Sequence, residues 1–148
     1  MTFHILSQIL LATLAATSLM TLFSYIVSAS ARELYKEPVL LTYILSALKM
    51  EVSPQTKTFL AWLLHYIIGL AFVVAYHFLW VYEIVEMSWP AAFVLGALSG
   101  VIGILGWMLM FKMVPNKLNI DFKGYYVQLF FAHIVFGITA FFVYQLFM

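Results

Sequence analysis

The 148-residue chain has no cysteine, which excludes disulfides, cysteine-ligated zinc, iron–sulfur clusters and thiol nucleophiles. Charge is nearly as scarce: 9% of residues are Asp, Glu, Lys or Arg, against ~25% in an average soluble domain. Seven basic and six acidic residues leave a formal charge of +1, so no basic field exists to hold nucleic acid. Proline is confined to Pro38, Pro54, Pro90 and Pro115, each outside or at the edge of a long apolar run. Hydrophobic residues make up 66% of the chain, an excess that rules out a water-soluble fold.

A helix needs about 20 apolar residues to cross the ~30 Å hydrocarbon core of a bilayer. Four stretches free of Asp, Glu, Lys and Arg exceed that length: 5–31, 58–82, 87–111 and 124–148. The chain reads as an all-α membrane protein, a single transmembrane domain over 1–148 with four transmembrane helices. Ser53-Pro54 and Ser88-Trp89-Pro90 read as helix starts. The apolar runs are continuous, unlike the alternating strands of an outer-membrane barrel. The first run lacks a basic leader and exceeds the ~7–15 apolar residues of a signal peptide, so it is expected to stay in the mature protein. Segment 38–48 is too short to span and too apolar to be a solvated loop. It reads as a short interfacial helix between spans 1 and 2, lying at the inner interface or dipping back into the bundle. Arg32, Lys36 and Lys49 beside it suit anionic headgroups, a pull that Glu33, Glu37 and Glu51 weaken.

All basic residues fall in two segments: Arg32, Lys36, Lys49 and Lys57 between spans 1 and 2, and Lys112, Lys117 and Lys123 between spans 3 and 4. Lys and Arg in short loops mark the cytoplasmic side, so both termini are expected outside. Trp80, Tyr82 and Trp89 then belong to an outer aromatic belt, and Trp62, Trp107, Tyr125 and Tyr126 to an inner one.

Spans 2 and 4 share a pattern. His65, Gly69 and Tyr76 match His133, Gly137 and Tyr144 at one constant offset. At about 100° per residue the three groups share one face of each helix, with Tyr ~16 Å above His. Two like-directed helices carrying one stripe suggest a 2+2 parallel repeat about an axis along the membrane normal. Span 3 carries a stripe of small residues, Ala92, Gly96, Ser99, Gly100, Gly103 and Gly106, and span 1 carries Thr13, Thr17, Thr21, Ser24 and Ser28. Such stripes let backbones approach and let hydroxyls bond across helices or to their own i−4 carbonyls. Gly96, Gly100 and Gly103 are therefore candidate packing or partner contacts, as are Gly69, Gly137, Tyr76 and Tyr144.

Ionisable groups at membrane depth are functional candidates by default. No Asp, Glu, Lys or Arg lies within a span, which leaves His65, His77 and His133 besides the tyrosines. Two His at equal depth, each followed by Gly at i+4, have the makings of axial ligands to a haem b. The plainer alternative has each His bonding a Thr, a Ser or a backbone carbonyl while Gly permits close packing. His77 is turned ~120° from His65 and is expected to bond Glu83 or water. No motif for a serine nucleophile, a zinc pair or a phosphate loop is present, and the scattered Met read as packing rather than a soft-metal site.

Four short spans, an Ala/Thr/Ser-rich first helix and His-x-x-x-Gly opening a later one resemble small bacterial inner-membrane proteins of unknown function. The resemblance implies a bacterial source and no activity. With no charge in the spans and 18% aromatic residues, the expectation is a non-enzymatic accessory, structural or assembly subunit of a larger inner-membrane complex. Its partners would be the lipid bilayer and other membrane subunits or a second copy, without a cofactor. The alternatives are a small b-type haem electron carrier and a small repeat transporter, the latter requiring a polar cavity between spans 2 and 4. From the loop charges, a topology reporter fused after Met148 is expected to be active only outside the cell membrane. Activity in the cytoplasm would overturn the orientation.

Overall fold

The computed structural model describes residues 2–48, 50–114 and 118–147, so Lys49, Pro115, Lys117 and Met148 lie outside the described residues. The described residues form five helices: α1 Thr2–Ala31, α2 Glu37–Ala47, α3 Pro54–Val81, α4 Trp89–Lys112 and α5 Phe122–Gln145. Four of them, α1, α3, α4 and α5, are long and apolar enough to cross a membrane.

Local chemistry sets the boundaries. Ser53 caps α3 by accepting from the Thr56 amide at 3.1 Å, and Ser88 caps α4 through the Ala91 amide at 3.4 Å, each followed by a proline in the first turn. Asp121 caps α5 through the Gly124 amide at 3.1 Å. At the other ends of α1 and α3, Arg32 (φ 57°) and Glu83 (φ 55°) take the left-handed conformation. The amides of Glu33 and Ile84 then reach back to Ser28 O and Leu79 O and close both helices.

The two loops that carry the basic residues share one end of the bundle, joined by a Tyr35 hydroxyl that donates to Asp121 at 2.9 Å. At the opposite end the His4 ring meets Phe147 at 5.1 Å, bringing the two ends of the bundle's chain together. The most buried of the four long helices is α5. It packs between α4 and α1, α1 also packs on α3, and α2 folds back onto α3.

The small-residue stripe of α4 faces α5. A Cβ at Gly96 would lie 2.7 Å from His133 O and 2.8 Å from Ile134 Cα, and one at Gly137 would lie 2.7 Å from Ala92 O. Gly100 is nearly as tight, 3.2 Å from Phe130 Cα. The hydroxyl stripe of α1 is buried throughout, with Thr13 and Thr21 each donating to a carbonyl one turn back and Ser24 Oγ lying 3.1 Å from Met20 O.

Three aromatics expected at the interfaces point inward instead. Trp80, Trp107 and Tyr125 are buried, whereas Tyr82 and Trp89 are exposed. Position along a span sets a side chain's depth but not its direction around the helix.

Because Gly96 meets backbone and Gly106 has no atom within 4 Å of a Cβ position, the two glycines differ sharply in tolerance. Gly96→Ala is expected to destabilise by about 1–3 kcal/mol, as overpacking does, and Gly106→Ala to be nearly neutral. Thermal denaturation in detergent checks this, and equal midpoints would mean that α4 does not pack on α5 through this stripe.

Candidate functional site

His65 and His133 stand at the same position relative to the starts of α3 and α5. Both line one cavity of about 190 Å³, with walls from all five helices. The two rings are held differently. His65 Nε2 lies 2.9 Å from Thr21 Oγ1 on α1. The single Thr21 hydroxyl proton goes to Thr17 O at 2.7 Å, so the imidazole N–H is the donor to Thr21 and Nδ1 keeps the lone pair. His133 Nδ1 donates to Leu129 O at 2.9 Å on its own helix. In the neutral ring Nε2 is then an acceptor, and it sits 2.9 Å from a Cβ position at Gly103 on α4. His133 also packs against Phe72 and Phe136, with ring centroids 5.7 Å and 6.5 Å away.

The other residues of the shared pattern also diverge. Gly69 lets Thr17 Oγ1 approach, while Gly137 lets α4 approach at Gly96. The Tyr76 hydroxyl donates to Leu95 O at 3.1 Å and shares a 2.7 Å hydrogen bond with Ser99. Tyr144 has an unpartnered hydroxyl and stacks edge-on against Trp80, centroids 4.8 Å apart. His77 forms no bond to Glu83, and its ring lies 6.0 Å from that of Tyr144.

Glu37, expected from the sequence beside the interfacial helix and weakening its pull on anionic headgroups, is 1% exposed inside the bundle and lines the cavity. The connection from α1 turns sharply at Arg32, where Ser28 Oγ donates to Glu33 O and accepts from the Tyr35 amide at 3.3 Å. That turn points the first residue of α2 back between α1 and α5. Glu37 Oε1 accepts from Ser24 Oγ at 2.6 Å and from Gln128 Nε2 at 3.5 Å, and Gln128 also donates to Ser24 at 2.6 Å. Oε2 has no partner, nor do Gln128 Oε1, Tyr125 OH and Thr17 Oγ1 nearby. Buried polar atoms without partners are rare and point to water, an ion or a ligand. Burial pushes the Glu37 carboxyl up to about 7, against the bonds from Ser24, its own amide and Gln128 that favour the carboxylate. One signal for this cluster was present in the sequence: Gln128 is a lone amide inside an otherwise apolar stretch.

The arrangement does not fit a haem. The cavity is smaller than the ~300–1,000 Å³ that encloses drug-sized ligands, and His65 Nε2 is already bonded to Thr21. Among the described residues no group of three or more His, Asp or Glu is placed to hold a metal ion. Comparison with known proteins gives no matching family model, no similar curated protein and no similar solved structure.

The buried carboxyl makes stability depend on pH with a definite sign. An unfolded chain ionises Glu37 near 4.5, the folded protein near 7, so between these values only the folded state holds the proton. Stability therefore falls as pH rises through this window, and the full loss is reached above about 7. The melting midpoint in detergent is expected to drop from pH 5 to pH 8 in the wild type and to stay flat in Glu37→Gln. Parallel curves for the two proteins would show that another group controls the dependence.

Proposed function

We propose that the protein is a non-enzymatic carrier that binds a small lipid-soluble molecule inside the bilayer. The observation that carries this reading is the cavity itself, an apolar chamber with unpartnered buried acceptors, lined by the α3 and α5 histidines and by Glu37. The transport alternative required a polar cavity between these two helices, whereas this chamber is mainly apolar with a few polar atoms in its wall. The accessory-subunit expectation drew on the lack of charge within the spans, and Glu37, outside the spans but buried in the bundle, weakens that support. Access is supported from the side: Ile68 on α3 and Ile102 on α4 flank the cavity and are 38% and 57% exposed. At mid-span depth an exposed surface faces acyl chains, so the route suits a solute already dissolved in lipid.

Within this reading the membrane is the bacterial inner membrane, with the basic loops toward the cytoplasm and both termini outside. Glu37 then sits on the cytoplasmic side of the chamber. The resemblance to small bacterial inner-membrane proteins and the His/Gly/Tyr pattern of a 2+2 repeat accord with such a protein.

Gly106 lines the cavity and has open space around its Cβ position, so Gly106→Leu fills the chamber without meeting backbone. Protein purified in lipid nanodiscs from its native membrane is expected to retain a small molecule, identified by mass spectrometry of the extract, near one per chain. Gly106→Leu is expected to lose it while eluting as the wild type does. An identical extract from both proteins would overturn the carrier reading.

A further inference from the structure

The size and donor set of the chamber narrow what it can hold. A cavity of about 190 Å³ slightly exceeds the ~150 Å³ engineered cavity that admits benzene. It therefore takes one six-membered ring and few substituents. Phe72, Phe136 and Trp107 line it, walls that suit an aromatic ring packed at an angle or offset. Beside the Thr17 hydroxyl, which can donate or accept, the polar atoms on offer include two imidazole nitrogens that only accept. His133 Nε2 is free because Nδ1–H is committed to Leu129 O, and His65 Nδ1 carries the lone pair because Nε2–H is committed to Thr21. Glu37 Oε2, in a residue only 1% exposed, has no partner either. Among the described residues no Lys or Arg lines the cavity to pair with a ligand acceptor.

A guest that complements these atoms must donate a hydrogen bond. An ammonium would donate, but the exposed faces of Ile68 and Ile102 beside the cavity meet hydrocarbon, where a charged solute is scarce. A carbonyl or ether only accepts and would leave the cavity's nitrogens unpaired. We infer that the chamber takes the single-ring head of a lipid-soluble phenol, its hydroxyl donating to His133 Nε2 and its apolar tail leaving between α3 and α4. This rests on the carrier reading and adds the chemical class of its cargo.

The test uses the full chain in nanodiscs of phosphatidylcholine, with 4-hexylphenol and its methyl ether 4-hexylanisole as probes and calorimetry as the readout. Empty nanodiscs, run in parallel, subtract partitioning into lipid. The phenol is expected to saturate near one per chain and to bind at least about tenfold more tightly than the ether, the effect of leaving a buried acceptor unpaired. His133→Phe keeps an aromatic ring but removes the acceptor, and is expected to bring the two probes within about twofold of each other. The wild-type comparison alone decides the matter if that variant does not fold: equal affinities for phenol and ether, or no binding of either, overturn the phenol class. A native molecule retained by the wild type and lost in Gly106→Leu would in that case leave the carrier reading intact. Phenol binding unchanged by Gly106→Leu would instead place the site elsewhere and overturn the inference.

Discussion

The close crossing of α4 over α5, at Gly96 and Gly137, is the constraint on which the rest of the bundle depends. With backbone atoms at the contact, the two helices come as near as helices can, and α5 becomes the central element with α1 on its other side. α3 packs on α1 and α2 and reaches α4 through the Tyr76 bonds to Leu95 O and Ser99, so the two helices are joined away from the basic loops and border the chamber at the level of Ile68 and Ile102. Toward the basic-loop end, the His133 ring fills the space beside Gly103, and one turn further Gly106 faces nothing. The chamber is the geometric remainder of a tight contact at one level and a side chain inserted at the next.

A bilayer supplies no water to polar groups, so a bundle's polar atoms must find one another or a guest. Here they form a seam along the interior. Tyr35 and Asp121 bridge the loops, Ser24, Glu37 and Gln128 form a cluster beneath them, Thr21 and His65 follow, and Tyr76 with Ser99 lies further on. Most bonds in the seam are made between helices, so they fix register as well as satisfy donors. The seam is incomplete where it borders the chamber, at Glu37 Oε2 and Thr17 Oγ1, and again near the far end, where His77 Nδ1, Trp80 Nε1 and Tyr144 OH all lack partners.

Much of this architecture was legible in the sequence because it is local or periodic. Ser53 and Ser88 announce their helices, charge-free length announces the spans, and the stripes on α1 and α4 carry the helical period of a packing face. What could not be read is what depends on several elements at once. The inward direction of Trp80, Trp107 and Tyr125 is set by neighbouring helices, not by depth. Glu37 follows Lys36 in a charged segment and reads as one of the charges flanking the interfacial helix, yet a left-handed Arg32 and two bonds at Ser28 turn it into the core. Its burial is a property of the turn, and no pattern within α2 records it.

The two histidines show how one local motif acquires two roles. Each is followed by glycine at i+4 and tyrosine at i+11, but the helices they face differ in kind. Opposite His65, α1 presents hydroxyls: Thr21 takes the ring's N–H and Thr17 packs on Gly69, so this imidazole is oriented from outside its helix. Opposite His133, α4 presents glycines, which offer room and no hydrogen bond. That ring turns to its own Leu129 carbonyl and keeps its other nitrogen for the cavity. The character of the odd-numbered spans, hydroxyl-bearing in the first and glycine-rich in the third, thus decides which histidine is tied to a neighbouring helix and which keeps a nitrogen free toward the chamber.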